Sequence, residues 1–350
     1  MVAKLEPRIV PGGVPMFLQN PLRRAVIAVG VCFAVVALFP ASTAAQQKKQ
    51  IKLSHSSQAS ADSELHQAAL EFEQALVDNP TLEVKIYAAN ALGQERDVYE
   101  AMQLGSGATC AISGTAILTN FNKRLGVLDL PFLWRDYGHV HKVLDGPVGT
   151  TLAKELEGTS LKVLAWMDSW GYRNVITAKK PVNKPEDIKG LKIRTIQTPI
   201  YVAALNSMGA NATPMAFGEV YNAMQTGVLD GFEHSAAMIY ANKFYEIAKY
   251  GVLTRHLFGP LVFACSMKEW QKFTPAEQQA IQTAATKARD NNRTLAPKRE
   301  AEAFDGLKTK GMVFVPIDTS SFQKAALPLQ DDLAKERGAT DLLATIRDTK

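Results

Sequence analysis

The chain has 350 residues, a formal net charge of +5 and 21% charged side chains. A charge this close to balance is not the footprint of a nucleic-acid-binding protein. The three cysteines are too few for a disulfide-built scaffold.

Lys4, Arg8, Arg23 and Arg24 precede an unbroken apolar run from Ala25 to Phe39, followed by Pro40 and the small residues Ala41 to Ala45. A charged start, an apolar middle and a small-residue end make an export signal. The expected cut lies at Ala45-Gln46, with Met16 as an alternative start. The apolar run is shorter than the roughly 20 residues that span a bilayer as a helix, so a cleaved signal is favoured over an anchor. Residues 1 to 45 carry a net +3, and subtracting this from the +5 of the chain leaves about +2 on the mature protein. Its length suits two domains. Cys32 leaves with the signal, and Cys110 and Cys265, 155 positions apart, read as two small buried residues rather than a bridge.

Short β-branched runs then alternate with helical patterns. Strands are expected at residues 51–55, 82–87, 109–113, 161–167, 174–178 and 191–195, and helices at 63–77 and 97–104. Leu65, Ala69, Phe72 and Leu76 share one face of the first helix. Repeated βα units of this kind point to α/β domains with mostly parallel sheets, whose ligands sit beyond the carboxyl ends of the strands. His55, Glu95 and Ser113 stand at or just past such ends. A hinge is expected near Trp170-Gly171. Thr274-Pro-Ala-Glu277 is a capping box that opens a helix running to about Leu307. At about 1.5 Å per residue such a helix is about 50 Å long, enough to lean across two lobes, with Pro297 expected to bend or break it.

Arg194 ends a strand just before Thr198-Pro199, which reads as the cap and first residue of a helix. A guanidinium fork beside the free N–H groups of a helix start favours a carboxylate, although an interdomain salt bridge accounts for an arginine there equally well. Arg173, next to Trp170 and Tyr172, repeats the theme. His139 and His141, two apart in a helix, face different ways and hold no metal, and His66 and His256 read as ordinary surface or core residues. Acidic pairs such as Asp230 with Glu233 read mostly as solvated faces. No serine-hydrolase elbow, paired-histidine zinc motif or phosphate loop is present, so neither catalytic residues nor a cofactor are expected.

Several stretches resemble a known family: Leu92-Gly-Gln-Glu-Arg-Asp97, Asp129-Leu-Pro-Phe-Leu133, Asp187-Ile-Lys-Gly-Leu-Lys-Ile-Arg194, Pro214-Met-Ala-Phe-Gly-Glu-Val-Tyr221 and Gln225-Thr-Gly-Val-Leu-Asp-Gly231. In this order behind a signal peptide, they resemble the extracytoplasmic solute-binding subunits of tripartite ATP-independent periplasmic (TRAP) transporters, the DctP family. The resemblance implies a two-lobed α/β binding-protein fold with a long helix leaning across both lobes. Lobe I is expected from residues 46–170 and 260–299, and lobe II from 171–259 and 300–350. It further implies a periplasmic, monomeric protein that encloses a small organic carboxylate and delivers it to the small and large subunits of a membrane permease.

By the same resemblance Arg194 pairs with the ligand carboxylate and Arg173 assists. His234 stands where the family often has asparagine, which puts a group able to change charge near neutral pH in place of an amide. The other expected ligand-facing residues are His55, Ser56, Glu95, Ser113, Trp170, Gln197 and Phe217. Ser113 replaces an acidic residue of some sialic-acid-binding relatives, which argues against that ligand. A sugar acid, hydroxy acid, dicarboxylate or aromatic acid all fit. From the residues alone an exported enzyme acting on a small acid, or a ligand-sensing module for a membrane receptor, stays open.

Overall fold

The computed structural model describes residues 47–350. The proposed export signal lies outside the described residues. Eleven strands are described: β1 (Lys49–Ser54), β2 (Leu82–Tyr87), β3 (Cys110–Gly114), β4 (Leu161–Met167), β5 (Arg173–Thr177), β6 (Lys192–Thr195), β7 (Asn211–Pro214), β8 (Gly231–His234), β9 (Tyr250–Leu257), β10 (Leu261–Ser266) and β11 (Val313–Val315). They form two sheets, one of order β2-β1-β3-β10-β4 and one of order β11-β9-β5-β8-β6-β7. Helices cover both, giving the two-lobed α/β architecture.

The sheets are more mixed than the βα alternation predicts, and the reason is topological. Every antiparallel ladder involves β5 or β10. These are the strands through which the chain enters one sheet after leaving the other. β4 and β9 each run out at a carboxyl edge, so the chain that follows must enter the opposite sheet at its carboxyl edge and run against its neighbours. The two carboxyl edges therefore face a common cleft, where ligands of α/β sheets bind.

Local sequence explains the helices. Ser63 caps helix Glu64–Ala75 through its side chain, and the predicted face Leu65, Ala69, Phe72 and Leu76 is buried. Thr274 and Glu277 form the reciprocal capping box at the start of helix Pro275–Thr309. That helix packs on helix Glu64–Ala75 and β4 of one lobe and on helix Ala236–Ala241 of the other. It continues through Pro297, so of the expected bend or break the break does not occur. Buried side chains at Asn292, Ala296 and Glu300 hold its inner face on both sides of the proline, so tertiary packing offsets the lost backbone hydrogen bond.

Two of these side chains grip the first crossing between the lobes. Asn292 Oδ1 accepts the backbone N–H of Asp168 at 2.8 Å, and Glu300 Oε1 accepts that of Tyr172 at 2.8 Å. Segment 168–172 is thus tethered at both ends to one helix. Gly171 sits at φ +108°, and a Cβ there would lie 2.5 Å from the Glu300 carboxyl carbon. Only glycine fits between the strap and its tether.

Cys110 and Cys265 form a disulfide, which corrects the reading of two free residues. Separation along the chain conceals that β10 returns beside β3 with Cys265 directly opposite Cys110. Replacing both by alanine is expected to lower stability by about 2–4 kcal/mol, as for bridges that close long loops. Denaturant unfolding of the double variant measures this, and an unchanged midpoint rejects it.

Candidate functional site

A cavity with an empty volume of about 640 Å³ lies where the two carboxyl edges meet. Ser56, Glu95 and Gly114 line it from the first lobe, Arg194, Gln197, Phe217 and His234 from the second, and Trp170 and Arg173 from the crossing. Eight of the ten residues singled out from sequence thus share one lining. The other two, His55 and Ser113, line a smaller neighbouring cavity.

Arg194 is 3% exposed on β6. Its Nε and Nη2 donate to the Met215 carbonyl at 2.9 and 2.6 Å, and its guanidinium lies 5.9 Å from the centre of the Phe217 ring. Burial, opposed by Glu233, lowers its pKa to about 10, so it remains a cation at neutral pH. Among the described residues it makes no ion pair. The salt-bridge alternative therefore belongs to Arg173 rather than to Arg194.

Arg173 is buried as the first residue of β5. Its Nη2 donates to Glu233 Oε1 at 2.8 Å and to the Glu233 carbonyl at 3.0 Å, while its Nε donates to Glu233 Oε2. Burial works against its charge, but the Glu233 carboxylate outweighs it and raises the pKa. Thr195 donates to Glu233 Oε1 at 3.0 Å, and His256 Nε2 stands 3.7 Å from Oε2. Glu233 is thus fully buried, not part of a solvated face. β8 lies inside the sheet between β5 and β6 and is buried along its whole length, which composition alone could not reveal.

His234 follows Glu233 and is 4% exposed. Burial, then Arg173 and Arg194, hold its pKa well below the usual histidine value. The expectation that it changes charge near neutral pH is corrected: two guanidinium groups and a dry site keep it neutral. Ser235 N–H approaches Nδ1 at 2.9 Å, and Arg173 Nη1, which can only donate, approaches Nε2 at 3.3 Å. Trp170 packs edge-on against the imidazole at 5.2 Å, and Phe217 does so at 6.0 Å.

Glu95 opens helix Glu95–Leu104. Burial raises its pKa, while the Ser56 hydroxyl and Arg194 act in the other direction.

Sequence reasoning missed Tyr201, which lines the cavity, faces Arg173 at 5.3 Å and donates to Asp129 Oδ1 at 3.0 Å. Asp129 also accepts from Thr115 at 2.9 Å, and burial pushes its pKa up to about 7. The Asp129-Leu-Pro motif and the helix start at Pro199 were visible, but their meeting is tertiary. Among the described residues no cluster of three or more His, Cys, Asp or Glu side chains is arranged to hold a metal.

Two lobes with facing carboxyl edges and a buried, cation-lined cavity define a cleft-type solute-binding protein. The family model of bacterial extracellular solute-binding proteins, family 7 (DctP), matches residues 55–337. The chain belongs to this family, that of TRAP-transporter solute-binding proteins. It is 35% identical over 263 residues to the 2,3-diketo-L-gulonate-binding periplasmic protein YiaO of Escherichia coli K12, covering 74% of this chain and 80% of that one. Among solved structures, a TRAP periplasmic solute-binding protein from Polaromonas sp. JS666 bound to D-erythronate superposes with a TM-score of 0.82 at 32% identity, covering 87% of this chain and 99% of that one. One from Citrobacter koseri with bound D-glucuronate gives a TM-score of 0.80 at 32% identity, over 86% and 100% of the two chains.

The assigned neutrality of His234 is directly measurable. The midpoint of its imidazole NMR titration is expected to lie well below the ordinary histidine value. A titration centred near the ordinary histidine value would overturn the electrostatic account.

Proposed function

We propose that the protein captures a monoanionic, polyhydroxylated carboxylate of the sugar-acid class and releases it to a TRAP membrane permease without turning it over. The observation that carries this reading is the meeting of Arg194, Arg173 and His234 in the lining of one cavity. Arg173 is already neutralised by Glu233, and His234 is neutral, which leaves Arg194 as the cation without an ion-pair partner. One carboxylate balances it. A second would meet the Glu95 carboxyl, which favours hydroxyls over a dicarboxylate. Ser56, Glu95 and Gln197 supply donors and acceptors for those hydroxyls, and Trp170 with Phe217 supplies apolar walls. The ligands named for the relatives, D-erythronate, D-glucuronate and 2,3-diketo-L-gulonate, are all sugar acids and support this choice.

Calorimetric titration with these acids and with succinate tests the proposal. A sugar acid is expected to bind and succinate to bind far more weakly. Arg194→Ala should cost about 2 to 5 kcal/mol of affinity, roughly 30-fold or more, because it leaves a buried carboxylate unpaired. Full affinity in that variant, or consumption of any acid by the wild-type protein, sinks the reading.

We also propose that residues 1–45 are removed on export to the periplasm, a reading supported by the charged, apolar and small-residue order of that segment. Amino-terminal sequencing of the secreted protein is expected to begin at Gln46. Recovery of the uncut chain in the membrane fraction rejects cleavage.

A further inference from the structure

The second sheet turns its carboxyl edge to the cleft, and its opposite, amino edge is a row of lysines. Lys249 leads into β9 and Lys192 opens β6. β5 runs antiparallel to its neighbours and so ends at this same edge, where Lys179 and Lys180 follow it. Lys184 and Lys189 lie in the connection from β5 to β6. Backbone hydrogen bonds hold the row in register: Lys249 N–H donates to the Thr177 carbonyl at 3.2 Å, Ala178 N–H to the Asp230 carbonyl at 3.0 Å, and Asp230 N–H to the Lys192 carbonyl at 3.0 Å. All six lysines are exposed, and among the described residues none forms an ion pair.

The acidic residues of this edge are Glu186, Asp187 and Asp230, and two of them are turned to the backbone. Asp187 Oδ2 accepts the N–H of Asn183 at 3.0 Å, and Asp230 Oδ2 accepts that of Lys192 at 2.9 Å. Six lysines against three carboxylates leave +3 here, more than the +2 carried by the mature chain as a whole. The excess positive charge of the protein is therefore concentrated on one edge.

We propose that this lysine edge is a docking surface for anionic phospholipid headgroups, holding the protein against a membrane while the cleft stays free. The inference is independent of which acid fills the cleft. Residues 178–192, 226–230 and 248–249, which build the edge, contain no arginine and no aromatic residue. Protein interfaces are anchored by those residue types and are depleted in lysine, so the composition disfavours a protein partner. Lysine is a point charge on a flexible stem, suited to mobile phosphates that offer no fixed geometry. Each lysine near an anionic bilayer strengthens attachment by roughly five-fold. An apolar recess lined by Leu191, Met224 and Leu229 together with Lys179 and Lys180 opens on the same edge, and the neighbouring Val228 is 57% exposed. Charge and a small apolar contact thus meet where a lipid surface presents both. Arg194 and His234 stand at the other ends of β6 and β8, so attachment and ligand capture do not compete for the same end of the sheet.

Co-sedimentation of the mature protein with vesicles tests the proposal. Vesicles of equal parts phosphatidylglycerol and phosphatidylcholine are expected to bind it at low ionic strength and to release it at roughly 0.5 M salt, where charges are screened within a few ångströms. Vesicles of phosphatidylcholine alone should bind it at least about ten-fold more weakly. Changing Lys179, Lys180, Lys192 and Lys249 together to glutamine should weaken binding to the anionic vesicles by about ten-fold or more. The same change at four exposed lysines elsewhere, Lys298, Lys324, Lys335 and Lys350, alters the net charge equally and should have less than about a three-fold effect. Retained unfolding midpoints verify that both variants fold. Equal losses in the two variants assign the effect to net charge and overturn the edge. No binding to either vesicle, or equal binding to both, overturns the lipid surface, even where the same lysines prove to hold an acidic protein.

Discussion

The buried pair of Arg173 and Glu233 is the constraint on which the site depends. Glu233 projects from β8, Arg173 from β5, Thr195 from β6 and His256 from β9, so one carboxylate gathers four strands of the second sheet. A buried ion pair of this kind is costly to desolvate and adds little net stability, but removing one partner leaves a bare charge in a dry core. Its value lies in position. With two nitrogens committed to Glu233, Arg173 keeps Nη1 for His234, 3.3 Å from its Nε2. The pair also balances the charge of Arg173 and leaves Arg194, among the described residues, without an ion-pair partner.

That charge arrangement depends in turn on dryness. The shifts of Arg194, His234 and Glu95 all have burial as their largest cause. In each case burial moves the group toward its neutral form: Arg194 keeps its charge, His234 loses the ability to titrate near neutrality, and the carboxyl of Glu95 is easier to protonate. This is the electrostatic basis of the ligand class proposed above.

The cleft exists because the chain crosses between sheets, and the crossing is held as firmly as the site. Segment 168–172 joins β4 to β5, carries Trp170 into the cavity and delivers Arg173 immediately afterwards. Its two ends hang from Asn292 and Glu300 of one long helix that packs on both lobes. Pro297 lies between these tethers. The cavity-lining residues Trp170 and Arg173 are thus mechanically adjacent to the helix that packs on both lobes.

Much of this was legible in the amino-acid order. The capping box at Thr274, the buried face of the first long helix, most strand positions and eight of the cavity-lining residues follow from periodicity, turn chemistry and family motifs. These are local signals, carried by residues a few positions apart. What the sequence by itself could not decide are the pairings between distant segments: Cys110 against Cys265, Tyr201 against Asp129, Glu233 in a dry core, and His55 and Ser113 outside the main cavity lining. Burial and long-range strand register are set only when the whole chain packs. For that reason the tertiary structure alone determined the protonation of His234, the survival of the helix at Pro297 and the separation of the two cavities.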